Sequence, residues 1–218
     1  MVRSLVRTLS ALAVVAGAVV LLLVAHQVWG TDAAGDRAQG RVADELREDW
    51  TAPGAPVPPA PGAAFAFLHV PRLGEDWTRA VVEGVDPEQL DAGPGHYPGT
   101  AQPGEVGNFA VAGHRVGQGS PFLDLDSLQR GDAVVVETAD SWHVYRVTTT
   151  TVVAPTETWV VAPTPGGPPD GPATGAFLTL TTCHPEFSDR ERLVVHGELE
   201  SSPAKADAPG GPAELAGP

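Results

Sequence analysis

The central part of the chain consists of short β-patterned runs separated by turns rich in glycine and proline. Six runs have the alternating or β-branched pattern of strands: residues 64–70, 108–112, 132–138, 142–153, 176–182 and 192–199. Helical signal in this part is confined to residues 87–91 and 121–128. Many short strands with few helices predict a mainly β domain over residues 65–200, either a barrel or a sandwich.

The N-terminal 30 residues are predicted to form a membrane anchor. Arg3 and Arg7 precede residues 9–25, an apolar run interrupted only by Ser10, and this run extends towards Trp29. Its length is close to the roughly 20 residues that a helix needs to cross a bilayer. The basic flank predicts an N-terminus that stays inside and a chain that is otherwise exported. A cleaved signal peptide is the alternative, although its apolar region is usually shorter.

Residues 31–64 are predicted to form a short helix followed by a stiff linker. Apolar residues recur at every fourth position from 34 to 50, which favours an amphipathic helix over residues 32–50, weakened by two glycines. Five prolines follow between positions 53 and 61, so residues 51–64 form either an extended spacer or a passive linker. The tail, residues 201–218, has almost nothing apolar to bury and is predicted to be disordered.

The predicted domain is strongly acidic. Residues 65–200 contain 7 Arg and 19 Asp or Glu residues, a balance of −12. This charge argues against nucleic acid as a partner, because binding phosphates requires a basic patch. Arg115, Arg190 and Arg192 lie close in sequence to the candidate reactive residues below, which predicts a positive site in a negative domain.

Cys183 is the only cysteine of the chain, so it cannot form an internal disulfide. It follows a strand pattern in which it shares a face with threonines, and residues 192–199 form the second strand of a predicted antiparallel hairpin. Arg192 would then lie across the loop mouth from Cys183. A nearby cation favours the reactive thiolate, which makes Cys183 a candidate nucleophile. An inert, buried thiol is the alternative.

His114 is the candidate proton donor among seven histidines. It follows a strand pattern and lies in a glycine-containing loop, where an imidazole can be accessible yet fixed. A structural loop histidine is the alternative. His184 is nearer to Cys183 in sequence but would point to the opposite face if the strand continues. A zinc site of Cys183, His184 and His114 is disfavoured, because the usual ligand spacing is absent.

These motifs together resemble the sortases, the cysteine transpeptidases that attach proteins to Gram-positive cell walls. The pattern T-L-x-T-C ends at Cys183, a strand opens at Arg192, and an A-G-H-R loop contains His114 ahead of P-F-x-x-L-x-x-L-x-x-G-D. The segment Y-P-G-T-A, starting at Tyr97, and the stretch 154–166 resemble class E of actinobacteria, as does the pair His184-Pro185. The resemblance implies an eight-stranded sortase-type β-barrel.

The resemblance also implies a mechanism. Cys183 would attack the threonine carbonyl of a C-terminal sorting signal and cleave a Thr-Gly bond. His114 would protonate the leaving amine, and Arg192 would stabilise the tetrahedral intermediate or position the peptide. Tyr97 would favour Leu-Ala-x-Thr-Gly over Leu-Pro-x-Thr-Gly. Thr182, next to the nucleophile, and His196, on the face of Arg192, are further candidates for substrate contact.

The expected partners are secreted proteins with a sorting signal and an amine of a peptidoglycan precursor. The protein is expected to be a monomer in the cell membrane, anchored by one helix, with an extracellular catalytic domain. No cofactor and no metal are expected; Asp124, Asp126 and Glu186 lack the spacing of an EF-hand. A catalytically silent, membrane-tethered peptide-binding module and a pilus-polymerising sortase are the alternatives. The loop 163–175 is either a mobile lid or a surface loop.

Overall fold

The computed structural model describes residues 2–51 and 59–216. Its first element is one continuous helix, α1, Val2–Asp49. The predicted anchor and the predicted amphipathic helix therefore join without a break. Within α1, Val6–Leu23 is long and apolar enough to cross a membrane, and its side chains are exposed. Residues 52–58 of the predicted linker lie outside the described residues.

Eight strands form a closed barrel within the described residues. They are β1 Ala64–His69, β2 Thr78–Glu83, β3 Gly95–His96, β4 Gly107–Ala112, β5 Ala133–Glu137, β6 Trp142–Val153, β7 Ala176–His184 and β8 Glu191–Ser201. A short helix, α2 Pro87–Ala92, lies between β2 and β3. The order around the barrel is β1-β2-β3-β4-β7-β8-β6-β5, and β5 pairs with β1 to close it. The mainly β barrel expected from the sequence is confirmed.

Two of the eight neighbouring pairs are parallel, and one of them determines where the candidate site forms. β2 pairs with β3 and β4 pairs with β7 in parallel, whereas the other pairs are antiparallel. Parallel neighbours end at the same edge of a sheet. The loops that follow β4 and β7 therefore emerge side by side.

Alternation along β7 separates the inner face of the barrel, which forms the core, from its outer face. Leu178 and Leu180 are fully buried in the main hydrophobic cluster, together with Phe109, Val111 and Tyr145. Thr179, Thr181 and Cys183 occupy the opposite face, as expected for a strand with a period of two.

Four segments differ from the sequence prediction. Residues 121–128 form only a 3₁₀ turn at Leu125–Ser127 rather than a helix, because Phe122, Leu125 and Leu128, three residues apart, all insert into the core. β2 and β3 were not predicted. The tail, predicted to be disordered, lies against β6 up to residue 216. The Trp142 indole donates to the Ala208 carbonyl at 3.1 Å, and Arg146 contacts Glu214 at 2.6 Å.

Candidate active site

Cys183 is the penultimate residue of β7, and its side chain is half-buried. In the β7–β8 pair it lies directly opposite Arg192. The predicted hairpin and its register are therefore present. A thiol in this position is held by a rigid sheet yet can be reached from the barrel surface.

His114 lies two residues beyond the end of β4, and hydrogen bonds join its loop to β7. The Gly113 amide donates to the Thr181 carbonyl at 3.0 Å, and the Thr182 hydroxyl donates to the Gly113 carbonyl at 2.8 Å. Gly113 has no room for a side chain, because a Cβ there would lie 2.6 Å from the Phe122 ring. The start of the loop is thus fixed beside Cys183.

Cys183 and His114 line one cleft of about 260 Å³. The loop that follows β4 and the loop that follows β7 supply the other walls, which are Arg115, Val116, Phe187, Ser188 and Asp189. Phe187 stands in this loop with 76% of its surface exposed, an unusual state for a large apolar side chain. The structure brings the predicted nucleophile and the predicted proton donor together.

The imidazole of His114 faces a carboxylate that the sequence did not indicate. Its Nε2 atom lies 3.6 Å from Oδ1 of Asp91, which is on α2. This distance is too long for a good hydrogen bond but short enough for an ion pair once the imidazole is protonated. Nε2 is shielded from solvent and has no hydrogen-bond partner among the described residues. Asp91 is therefore placed to stabilise an imidazolium.

Arg115 is buried to 97% and connects the two loops that border the cleft. Its Nε donates to the Leu123 carbonyl at 2.6 Å, and its Nη2 contacts Asp126 at 2.8 Å and Glu186 at 3.8 Å. Asp126 and Glu186, considered above for calcium, thus neutralise an arginine. Within the described residues, no group of three His, Cys, Asp or Glu side chains is arranged to hold a metal ion.

Arg192 lies beside the cleft but does not line it. Its Nη1 donates to the carbonyls of Asp189 at 2.8 Å and Glu191 at 3.0 Å. Asp189 is itself a wall of the cleft. Because Nη1 is bonded to these two carbonyls, the Arg192 side chain has to change its rotamer to bring the guanidinium to a bound substrate.

The three residues predicted to contact substrate occupy different environments. The Tyr97 hydroxyl lies 2.9 Å from Oγ1 of Thr181, two residues before Cys183 on the same face. Thr182 is buried, and its hydroxyl is used by Gly113. His196 is also buried and lines a second cleft with Trp159 rather than the cleft of Cys183.

Burial lowers the pKa of His196 to about 4, so its ring is neutral at physiological pH. The Thr179 hydroxyl lies within hydrogen-bonding distance of three groups: Oδ1 of Asn108 at 2.8 Å, Nδ1 of His196 at 2.9 Å and the Val160 carbonyl at 3.2 Å. These bonds attach the 3₁₀ turn Thr158–Val161 to β4, β7 and β8. Nε2 of His196 has no partner among the described residues.

Sequence reasoning missed Asp91, Asn108 and Phe187 as residues of this region, and treated Arg115 only as a nearby charge. Asp91 ends a helix that was predicted, but nothing in its spacing indicates that α2 lies over the His114 loop. Asn108 stands inside a strand pattern, where asparagine is disfavoured, and that anomaly was a usable signal.

Comparison with known proteins agrees with this geometry. The sortase domain family model matches residues 68–200. Sortase SrtE1 of Streptomyces coelicolor is 36% identical over 88% of this chain and 56% of its own length, so the match spans about half of that relative. Sortase SrtE2 of the same organism is 35% identical over 89% of this chain and 81% of its own length. The chain belongs to the sortase family.

Solved structures extend the comparison to the fold. Sortase E1 from Streptomyces coelicolor, solved with a tripeptide in its active site, has a TM-score of 0.63 and 35% identity, covering 72% of this chain and 99% of that chain. The resemblance to sortases, including class E members, is confirmed. The eight-stranded barrel described above is the sortase fold.

Proposed function

We propose that this sortase-family protein is a cysteine transpeptidase that cleaves a Thr-Gly bond in a C-terminal sorting signal and joins the acyl product to an amine. The observation that carries the proposal is the single cleft lined by Cys183 and His114. A half-buried thiol on a rigid strand and an imidazole on a loop fixed to that strand supply a nucleophile and a proton donor.

The first half-reaction forms a thioester. The Cys183 thiolate adds to the threonine carbonyl, and a carbon–sulfur bond forms as the carbonyl electrons move to oxygen. Collapse of this tetrahedral intermediate breaks the carbon–nitrogen bond, and His114 donates its proton to the departing glycine amine. Asp91, 3.6 Å from Nε2 of His114, stabilises the imidazolium before this transfer.

The second half-reaction regenerates the enzyme. An incoming amine attacks the thioester, His114 accepts a proton from it, and the Cys183 thiolate leaves. Arg192 is proposed to stabilise the oxyanion in both steps after leaving the carbonyls of Asp189 and Glu191. Arg192→Lys is expected to lose most of the turnover with the fold intact, because an ammonium lacks the planar fork. Near-normal turnover of this variant would remove Arg192 from the mechanism.

The substrate preference is proposed to be Leu-Ala-x-Thr-Gly. Tyr97 carries this inference through the class E resemblance, and its hydroxyl, at 2.9 Å from Thr181, lies on the strand that presents Cys183. Sortase E1, with its tripeptide in the active site, supports a peptide ligand for this class. The proposed acceptor is an amine of a peptidoglycan precursor.

The setting is proposed to be the outer face of a cell membrane. Val6–Leu23 supplies a candidate span, and the basic residues Arg3 and Arg7 favour an orientation with the N-terminus inside. The protein is proposed to act there as a monomer, on secreted proteins that have a sorting signal.

The full chain in detergent should convert a Leu-Ala-x-Thr-Gly peptide and an amine acceptor into a ligated product. Without acceptor, mass spectrometry should detect the acyl fragment on Cys183. Cys183→Ala should abolish both signals, and His114→Ala should reduce turnover by about 100-fold or more, the usual contribution of a positioned acid–base group. Peptide binding without cleavage by the wild-type protein would instead identify a silent binding module.

A further inference from the structure

The second half of α1, residues 31–49, is bound to the barrel and is called the docked half below. Gln39, a residue of the docked half, is 91% buried. The Gln39 amide oxygen accepts from the Ala80 amide at 2.6 Å, and Nε2 donates to the carbonyls of Ala80 at 3.1 Å and Ala92 at 2.7 Å. Leu46 packs on Phe67 and Ala80. The helix is thus fixed both to β2 and to the end of α2.

The docked half also touches the segment 117–120, which begins three residues after His114. Gly35 lies so close to this segment that an added Cβ would overlap the Gln118 carbonyl group and the Gly119 nitrogen. Only glycine, with no side chain, permits this approach. One turn before Gly35, Asp32 accepts a hydrogen bond from the Ser120 hydroxyl at 2.8 Å.

Segment 117–120 needs such support, because all four of its residues have positive φ. The angles are 83° at Gly117, 54° at Gln118, 79° at Gly119 and 41° at Ser120. Gln118 and Ser120 are in the left-handed conformation, which is unfavourable for residues other than glycine. Surrounding contacts must therefore hold the segment in place. The Ser120 hydroxyl connects the two ends of the segment, because it accepts a hydrogen bond from the Gly117 amide at 2.9 Å while it donates to Asp32.

The docked half also contacts α2 next to Asp91, the carboxylate that faces His114. Gln39 binds the Ala92 carbonyl, and Asp91, the preceding residue of α2, lies 3.6 Å from Nε2 of His114. The loop that carries His114 and the carboxylate that faces it are therefore both attached to the docked half.

We propose that the docked half of α1 positions His114, so that the helix leading out of the membrane is a functional part of the active site. Gly35, Asp32 and Gln39 are its positioning residues. The effect on turnover rests on the transpeptidase function proposed above, whereas the effect on the orientation of His114 does not.

The chain offers a matched pair of glycines for the test. Gly35 and Gly40 are in the same helix, but a Cβ at Gly40 has no atom within 4 Å. Full-length Gly35→Ala and Gly40→Ala are compared in detergent micelles, with kcat and KM measured on a sorting-signal peptide. Gly35→Ala should lower kcat by about tenfold or more and change KM by less than about twofold, because misplacing a catalytic group impairs chemistry more than binding. Gly40→Ala should behave as the wild type.

A second readout does not depend on turnover. The imidazole Cε1–H signal of His114 is identified in the NMR spectrum by its loss in His114→Gln. It should shift or broaden in Gly35→Ala and remain unchanged in Gly40→Ala. If the wild-type chain shows no turnover, the proposed function fails, while this signal still decides whether α1 positions His114.

A kcat of Gly35→Ala within twofold of the wild type, with an unchanged His114 signal, would overturn the proposal. Equal losses in both glycine variants would also overturn it, because they would show a general effect on the helix. If Gly35→Ala does not fold, Asp32→Ala decides. This variant removes the bond to Ser120 without adding an atom, and it should lower kcat and alter the His114 signal; wild-type behaviour would overturn the proposal.

Discussion

At the scale of single residues, Asp91 is the carboxylate that faces the positive charge of protonated His114. The 3.6 Å separation gives an attraction to the imidazolium that is absent for the neutral ring. Asp91→Asn should therefore lower kcat by about fivefold with KM nearly constant, which corresponds to about 1 kcal/mol for a partly exposed pair. Steady-state kinetics with the sorting-signal peptide measure both parameters.

Glu88→Gln is the matched control for Asp91. It removes the same charge from the same helix, at an exposed position in the first turn of α2. A similar loss in both variants would mean that the acidity of α2, rather than the contact with His114, affects turnover.

His196 gives a prediction on stability instead of turnover. Its pKa is about 4 in the folded chain because of burial, against an ordinary value of 6.5. Between about pH 6.5 and pH 4, His196 is therefore protonated in the unfolded chain but neutral in the folded chain. Above pH 6.5, His196 does not affect the free energy of unfolding. As the pH drops from 6.5 towards 4, its contribution lowers the free energy of unfolding by up to about 1.4 kcal/mol per pH unit, and below pH 4 this loss levels off.

His196→Gln removes this titration. The free energy of unfolding in urea, measured from pH 7.5 to 4, should decline less steeply in the variant than in the wild type. Carboxylates whose pKa is lowered, such as Asp132 beside Arg72, are present in both proteins, so the difference isolates the imidazole. Parallel curves would show that His196 is not buried as a neutral group.

The placement of Cys183 and His114 beside strand ends was predictable from local patterns, whereas their roles as nucleophile and proton donor were inferred from the family resemblance and stay predictions. A threonine-flanked strand end and a glycine loop after a strand can be read from adjacent residues. The contacts of Asp91 and Arg115 were not predictable in this way, because they depend on which distant segments pack over the cleft. Arg115, for example, contacts Leu123, Asp126 and Glu186, which belong to two different loops.

At the scale of elements, the cleft depends on loops joined by Arg115. Arg115→Lys keeps the charge but loses the fork that bonds the Leu123 carbonyl and Asp126 together. A buried donor set replaced by one ammonium leaves carbonyl and carboxylate groups without partners. The free energy of unfolding should fall by about 2 kcal/mol, as measured by urea denaturation.

The control for this substitution is Arg130→Lys, the same exchange at an exposed position. It should leave the free energy of unfolding within about 0.5 kcal/mol of the wild type, as is usual for surface changes. If Arg115→Lys were equally harmless, Arg115 would not connect the two loops.

Six strands were predicted to within two residues at each end, and two were missed for physical reasons. β3, Gly95–His96, is too short to have a period. The sequence shows no clear boundary between β2, Thr78–Glu83, and the polar turn before it. β2 also pairs with β1 across a bulge near Ala64 and Ala66. The helix predicted over residues 121–128 failed because its apolar residues recur every third position, which suits a 3₁₀ turn as well as one face of a helix.

At the scale of the whole molecule, the tail up to residue 216 and the docked half of α1 both lie on the barrel instead of extending from it. Leu215 packs on the cluster of Val135, Trp142 and Val144, and Lys205 lies over the Trp50 ring at 3.9 Å. Composition alone predicted a disordered tail, because an average over 18 residues conceals a single leucine that has a place to bind. Segments on both sides of residues 65–200 thus pack on the barrel.

The single cysteine makes the arrangement across the membrane measurable. If Val6–Leu23 spans the bilayer with Arg3 and Arg7 inside, everything after the span lies outside, including Cys183. Cys183 is half-buried at an open cleft, so a maleimide can reach its sulfur. A membrane-impermeant maleimide should therefore label the chain in intact Gram-positive cells as completely as in lysed cells. Cys183→Ser should remain unlabelled in both, since the chain has no other thiol. Labelling that requires lysis would place the catalytic cleft inside the cell, where neither a secreted substrate nor the proposed acceptor at the outer face would meet it.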